Sequence, residues 1–127
     1  MSKTVLIVDD EPDVCSILRV VLEKRGVAVR TANDGREALD EIDRRRPDLI
    51  VLDLKMPRLN GYQVFAQLRS DPSRRNIPII VVTGLTQESD RNDEEWARRM
   101  EADGFLTKPF DIDDLGRRVD ELVAKFL

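Results

Sequence analysis

The sequence predicts an α/β fold, a five-stranded, doubly wound parallel sheet with helices on both faces. Five short strand-like runs recur along the chain, at Thr4 to Val8, Val27 to Thr31, Leu49 to Asp53, Ile79 to Thr83 and Phe105 to Thr107. Amphipathic helical patterns fill the gaps between them, and strands that alternate with helices pair in parallel through right-handed crossovers. The runs LIVLD and IIVVT are almost continuously apolar, as strands buried on both faces must be.

The first strand, TVLIV, is followed at once by Asp9, Asp10 and Glu11. Pro12 suits the opening turn of the first helix, where a missing N–H costs nothing, and Gly26 suits its stop. Between them Val14, Ile17, Leu18, Val21 and Leu22 share one helical face. Cys15 lies beside Leu18 and Leu22 on that face, so it reads as a small buried apolar residue in preference to a redox thiol. In the second helix Ala38, Leu39 and Ile42 point inward, and Pro47 must follow the helix because it cannot sit inside one.

The third helix starts near Gly61 and turns Val64, Phe65 and Leu68 inward, ahead of the polar connector SDPSRRN from Ser70 to Asn76. The fourth is the weak one, because Glu88 to Asp103 carries little apolar surface beyond Trp96, Ala97 and Met100. Trp96 is expected to anchor it in the core rather than to meet a partner, and a helix held so loosely is displaced cheaply. The fifth runs from about Asp111, with Ile112, Leu115, Val119, Leu122, Val123 and Phe126 at helical spacing.

The 127 residues suffice for one domain with a substantial core, so residues 1–127 read as a single unit. Charged residues make up 36% and apolar ones 41%, spread along the whole length, which argues against long disorder. The 21 Lys and Arg against 25 Asp and Glu give a net charge of −4, unfavourable for broad binding to nucleic acid or anionic membrane. The short basic runs at Arg44 to Arg46 and at Arg74 with Arg75 read as solvated faces or loops. Neither a spanning apolar segment nor a cleavable leader pattern is visible, and the single Cys suits a reducing compartment, so a cytoplasmic location is expected. With no His in the chain, His-dependent triads and His-ligated zinc are excluded.

In a parallel sheet of this kind ligands bind beyond the carboxyl ends of the strands. The first strand ends in Asp9 and Asp10, the third in Asp53, the fourth in Thr83 and Gly84, and the fifth in Thr107, Lys108 and Pro109. Any one of these residues alone has an ordinary explanation. Acids favour helix N-termini, Thr is at home in a buried strand, and Lys belongs on surfaces. The convergence of three carboxylates, a hydroxyl and an ammonium is what calls for chemistry. Such a carboxylate set suits Mg²⁺, a carboxylate beside the metal can attack phosphorus to form an acyl phosphate, and Lys and Thr can satisfy the phosphoryl oxygens.

From Thr4 to Phe126 the chain resembles a receiver domain of two-component response regulators, CheY-like in kind. The matching features are the pair Asp9 and Asp10, Asp53 in VLDLKMPRLNG, Thr83 in VVTG, and Lys108 with Pro109 in KPF. The resemblance implies a flavodoxin-like (βα)5 sheet in the strand order 2-1-3-4-5. It implies that Asp53 is the phosphoacceptor, served by a histidine kinase or histidine phosphotransfer protein, and that Asp10 holds Mg²⁺ directly, Asp9 mostly through water, with Asp53 and the backbone carbonyl of Lys55 completing the set. Thr83 becomes the switch hydroxyl, Phe105 the switch aromatic and Lys108 the phosphate clamp, and the peptide bond between Lys108 and Pro109 is expected to be cis. Read from the residue alone, Phe105 is equally well a core filler.

Phosphorylation would draw Thr83 inward and let Phe105 follow, reshaping the surface of the fourth helix, fifth strand and fifth helix for a downstream protein target. The resemblance allows a homodimer and implies no direct contact with nucleic acid or membrane. Two departures from the family pattern stand out: the segment from Thr83 to Lys108 is a few residues longer, and EADGF stands where a Gly-Ala pair is common. Lys55, two positions past Asp53, separates the chain from phosphatases of the haloacid dehalogenase class, which place an acid there. DDEPD after the first strand lacks the Gly, Ser or Thr of a phosphate-cradling loop, against a nucleotide carrier. A receiver that works without phosphorylation is not favoured, since all the acidic residues are present. Leu127 closes the chain soon after the fifth helix, as in a stand-alone receiver or one excised from a longer regulator.

Overall fold

A computed structural model describes residues 3–56, 58–84 and 87–126; the side chains at 87–91 and 126 are outside the description. Leu85, and the inward placing of Phe126 expected above, therefore lie outside the described residues. The elements run β1 (Thr4–Val8), α1 (Pro12–Lys24), β2 (Ala28–Ala32), α2 (Gly35–Arg44), β3 (Leu49–Asp53), α3 (Gly61–Ser70), β4 (Ile79–Thr83), α4 (Gln87–Arg99), β5 (Gly104–Thr107) and α5 (Ile112–Phe126). All four strand pairings are parallel and the order is β2-β1-β3-β4-β5, as expected.

Element ends follow from local hydrogen bonding. Pro12 opens α1, and Gly26 ends it at φ 91, a left-handed conformation that costs an L side chain energy. The second strand sits one residue later than Val27 to Thr31. The Val27 amide still turns back to the Leu22 carbonyl, so pairing with β1 starts where the Ala28 amide meets the Lys3 carbonyl. It continues to Ala32, whose carbonyl accepts from the Asp9 amide at 3.0 Å. At α3 a reciprocal capping box joins Asn60 and Gln63, each side chain accepting from the other's backbone N–H.

Alternation along the strands divides the core into two layers. Val5, Ile7, Val51 and Val82 face α1 and α5, where they meet Leu18, Leu22, Leu115 and Val119. Leu6, Val8, Ile50, Leu52 and Val81 face the other way, onto Ala38, Val64, Phe65 and Leu68 of α2 and α3. Because successive side chains point to opposite faces, a continuously apolar strand supplies both layers at once. Each fully buried large aliphatic side chain contributes about 1.5–3 kcal/mol of transfer free energy.

Helix α4 is joined to the second layer by less. Ala97 is buried, and the half-buried Trp96 meets Tyr62 and Phe65 edge-on, with ring centroids at 4.9 and 5.1 Å. Phe105 on β5 is only partly buried and packs against the same layer.

Candidate functional site

The carboxyl edge of the sheet brings Asp9, Asp53 and Lys108 into direct contact. Lys108 donates from Nζ to Asp9 Oδ2 at 2.7 Å and to Asp53 Oδ2 at 3.2 Å. Each aspartate uses its other oxygen in the same way, accepting from the backbone N–H two residues on: Asp9 Oδ1 from Glu11 at 2.9 Å and Asp53 Oδ1 from Lys55 at 3.1 Å. The arrangement depends on strand geometry. Asp9 and Asp53 extend two adjacent strands, and the Lys108 amide donates to the Thr83 carbonyl at 2.8 Å, which pins the end of β5 beside β4. The Lys108–Pro109 peptide bond is cis.

Gly61 is required here by close approach. A Cβ at this position would lie 2.2 Å from the Asp53 carbonyl oxygen and 2.5 Å from Leu54 Cα, both backbone atoms that cannot step aside. Its own amide donates to the Leu54 carbonyl at 3.0 Å, so the start of α3 is clamped against the end of β3.

Burial and charge work against each other at the site. Asp53 is 4% exposed, and burial raises its pKa to about 6, against the lowering effect of the Lys55 N–H and Lys108; the nearby Asp9 charge adds to the rise. For Lys108 burial favours the neutral amine, but the hydrogen bonds and charges of Asp9 and Asp53 outweigh it and hold the ammonium above the usual lysine range. Asp10 is exposed, yet one carboxylate oxygen from each of Asp9, Asp10 and Asp53 falls within 4.8 Å of the others. Three convergent carboxylates with a single ammonium among them match the hard oxygen donors that Mg²⁺ takes.

Two contacts add to the sequence reading. Glu11, at the entry to α1, keeps an exposed side chain, and its Oε1 accepts from Lys108 at 3.2 Å. Thr83 is fully buried at the end of β4, and its hydroxyl donates to Asp93 on α4. Asp93 is 5% exposed and also accepts from the Tyr62 hydroxyl, while Lys55 Nζ lies 3.8 Å from its Oδ2. Burial, followed by the hydrogen bond and charge of Asp93, raises the Tyr62 pKa and keeps the phenol a donor. Asp93 and Tyr62 were not singled out from sequence. Cys15 is buried as expected, with burial as the main cause of a pKa near 11, so its thiol stays protonated at neutral pH.

A family profile for the response regulator receiver domain matches residues 5–120. The chain belongs to this family. The receiver domain is 37% identical over 120 residues to Protein PilH of Pseudomonas aeruginosa, covering 94% of this chain and 97% of that one. It is 37% identical over 125 residues to the alkaline phosphatase synthesis transcriptional regulatory protein PhoP of Bacillus subtilis, covering 98% of this chain and 50% of PhoP. It thus spans about half the length of PhoP. Among solved structures, the signal receiver domain of a signal transduction histidine kinase from Syntrophus aciditrophicus superposes with a TM-score of 0.87 at 34% identity, covering 98% of this chain and 92% of that one. Receiver domains are phosphorylatable signalling switches of two-component systems.

Proposed function

We propose that this receiver accepts a phosphoryl group on Asp53 from a histidine kinase or histidine phosphotransfer protein, and that the phosphoryl group reshapes the surface formed by α4, β5 and α5 for a downstream protein. The observation that carries the reading is the Lys108 ammonium bonded at once to Asp9 and to Asp53, with Asp53 the last residue of β3, the central strand of the sheet, while Asp9 and Asp10 lie beyond the end of β1. Asp10, Asp9, Asp53 and the Lys55 carbonyl would hold Mg²⁺. When bound, the metal supplies positive charge that lets an anionic phosphodonor approach this acidic edge.

In the transfer an Asp53 carboxylate oxygen forms the new bond to phosphorus, the bond from phosphorus to the donor imidazole breaks, and the imidazole keeps that electron pair and takes a proton. Lys108 already sits on the Asp53 carboxylate, so it can pair with a phosphoryl oxygen without a large movement. An apolar groove lined by Val14, Ile17, Leu18, Pro109, Phe110 and Ile112 opens beside Lys108, and Ile17 and Val20 are exposed on α1. It offers the phosphodonor protein a surface within reach of the acceptor.

The domain acts once on itself per signal rather than turning over a substrate. Residues 1–127 work as one unit, and Phe105 as the switch aromatic. No described helix is long and apolar enough to cross a membrane, and the net charge of −4 disfavours direct nucleic-acid binding. Both fit a cytoplasmic signalling domain, which a second copy can join as a homodimer. The test is incubation with acetyl phosphate and Mg²⁺ followed by intact-mass measurement. Wild type gains one phosphoryl group and Asp53→Asn gains none; equal labelling of the two proteins, or no adduct on wild type under any metal condition, refutes the assignment.

A further inference from the structure

The Thr83 hydroxyl carries one proton, and in this structure Asp93 holds it. A phosphoryl oxygen on Asp53 needs the same proton. Both acceptors are anions, so the hydroxyl cannot serve them together, and one bond must open for the other to form. Asp93 is well equipped to compete: it is a nearly buried carboxylate, and hydrogen bonds to an ionised acceptor are roughly twice as strong as neutral ones.

We propose that Asp93 is a positioning residue that sets the threshold of the switch by capturing the Thr83 hydroxyl in the unphosphorylated state. This rests on the reading of Asp53 as phosphoacceptor. On phosphorylation the Thr83 proton donor passes from Asp93 Oδ2 to a phosphoryl oxygen, while Tyr62 and Lys55 remain beside Asp93 so that the carboxylate is not left bare. The exchange reaches α4 directly because Asp93 is part of that helix. Three residues further on, Trp96 packs against Tyr62, the other hydroxyl that Asp93 holds. With little buried apolar surface on α4, loss of the Thr83 bond removes a sizeable share of what fixes the helix among the described residues.

The test is a double-mutant cycle read as the calorimetric affinity for beryllofluoride at saturating Mg²⁺, with wild type, Asp93→Asn, Thr83→Ala and the double variant. Replacing the carboxylate by an amide turns a charge-assisted hydrogen bond into a neutral one, so Asp93→Asn is expected to bind about fivefold more tightly than wild type. In the Thr83→Ala background the same substitution is expected to change nothing. Asp93→Ser, which also removes the anion, must move the affinity in the same direction if the amide impairs folding. Unchanged or weaker binding by both variants overturns the proposal, and so does an equal gain without the Thr83 hydroxyl, which would mark Asp93 as merely structural. Wild-type protein that takes neither beryllofluoride nor a phosphoryl group from acetyl phosphate removes the phosphoacceptor reading itself, and the threshold role with it. Wild-type labelling with a flat cycle removes only the role of Asp93.

Discussion

Two polar clusters lie at the carboxyl edge of the sheet, and they hold their anions by opposite means. Around Lys108, carboxylates from β1 and β3 share one ammonium, and every participant is fixed by a strand end or by a backbone N–H two residues on. Around Asp93, one carboxylate on α4 is held by two hydroxyls, from β4 and α3, with a lysine ammonium at the margin. The first cluster is anchored in the layer that also anchors the sheet. The second ties a thinly packed helix to that sheet through neutral donors, which another acceptor can take away. Chemistry that requires fixed geometry belongs in the first, and a change of state belongs in the second.

The difference can be broken most severely at Lys108. Lys108→Ala leaves two buried carboxylates facing one another without their shared cation, and the metal-free protein is expected to lose about 3 kcal/mol of unfolding free energy. Urea melts with and without Mg²⁺ measure this, and the metal should restore part of the loss. An unchanged midpoint in the absence of metal would mean that the ammonium does not hold this edge together.

A smaller effect separates the clusters by pH. Asp53 has its folded pKa raised from 3.8 to about 6, so protonation favours the native state. Its stabilising contribution is complete below about pH 4 and is lost as pH rises through about 6. Between pH 5 and pH 7 the metal-free wild type should lose about 1 kcal/mol relative to Asp53→Asn, which cannot titrate there. Parallel melts of the two proteins at both pH values would show it, and an identical pH response would place Asp53 in a less buried setting.

The first cluster was legible because each member ends a strand, and strand ends can be read from a run of apolar residues that stops. The parallel topology then brings those ends together in space without any further information. The second cluster was hidden by composition. Asp93 stands in SDRNDEEW among other acids of the same helix, and nothing local marks it as the buried one. The available signal was helical phase: Asp93, Trp96, Ala97 and Met100 are spaced i, i+3, i+4 and i+7, so the acid shares the face of the residues already read as inward. The contact of Glu11 was hidden for a related reason, since an exposed acid at a helix start has an ordinary explanation, and its reach to Lys108 depends on where a residue 97 positions away comes to rest. The one-residue shift of β2 reflects a helix-closing bond at Val27, which apolar content alone does not reveal.

The most direct test of the account locates the modified carboxyl itself. Phosphorylated protein would be trapped with borohydride, which reduces an acyl phosphate to an alcohol and so converts the acceptor aspartate to homoserine, and the site read by peptide mass spectrometry. The account predicts homoserine at Asp53 alone, and only when Mg²⁺ and acetyl phosphate are both present. Conversion at Asp9, Asp10 or Asp93 in place of Asp53 would contradict it.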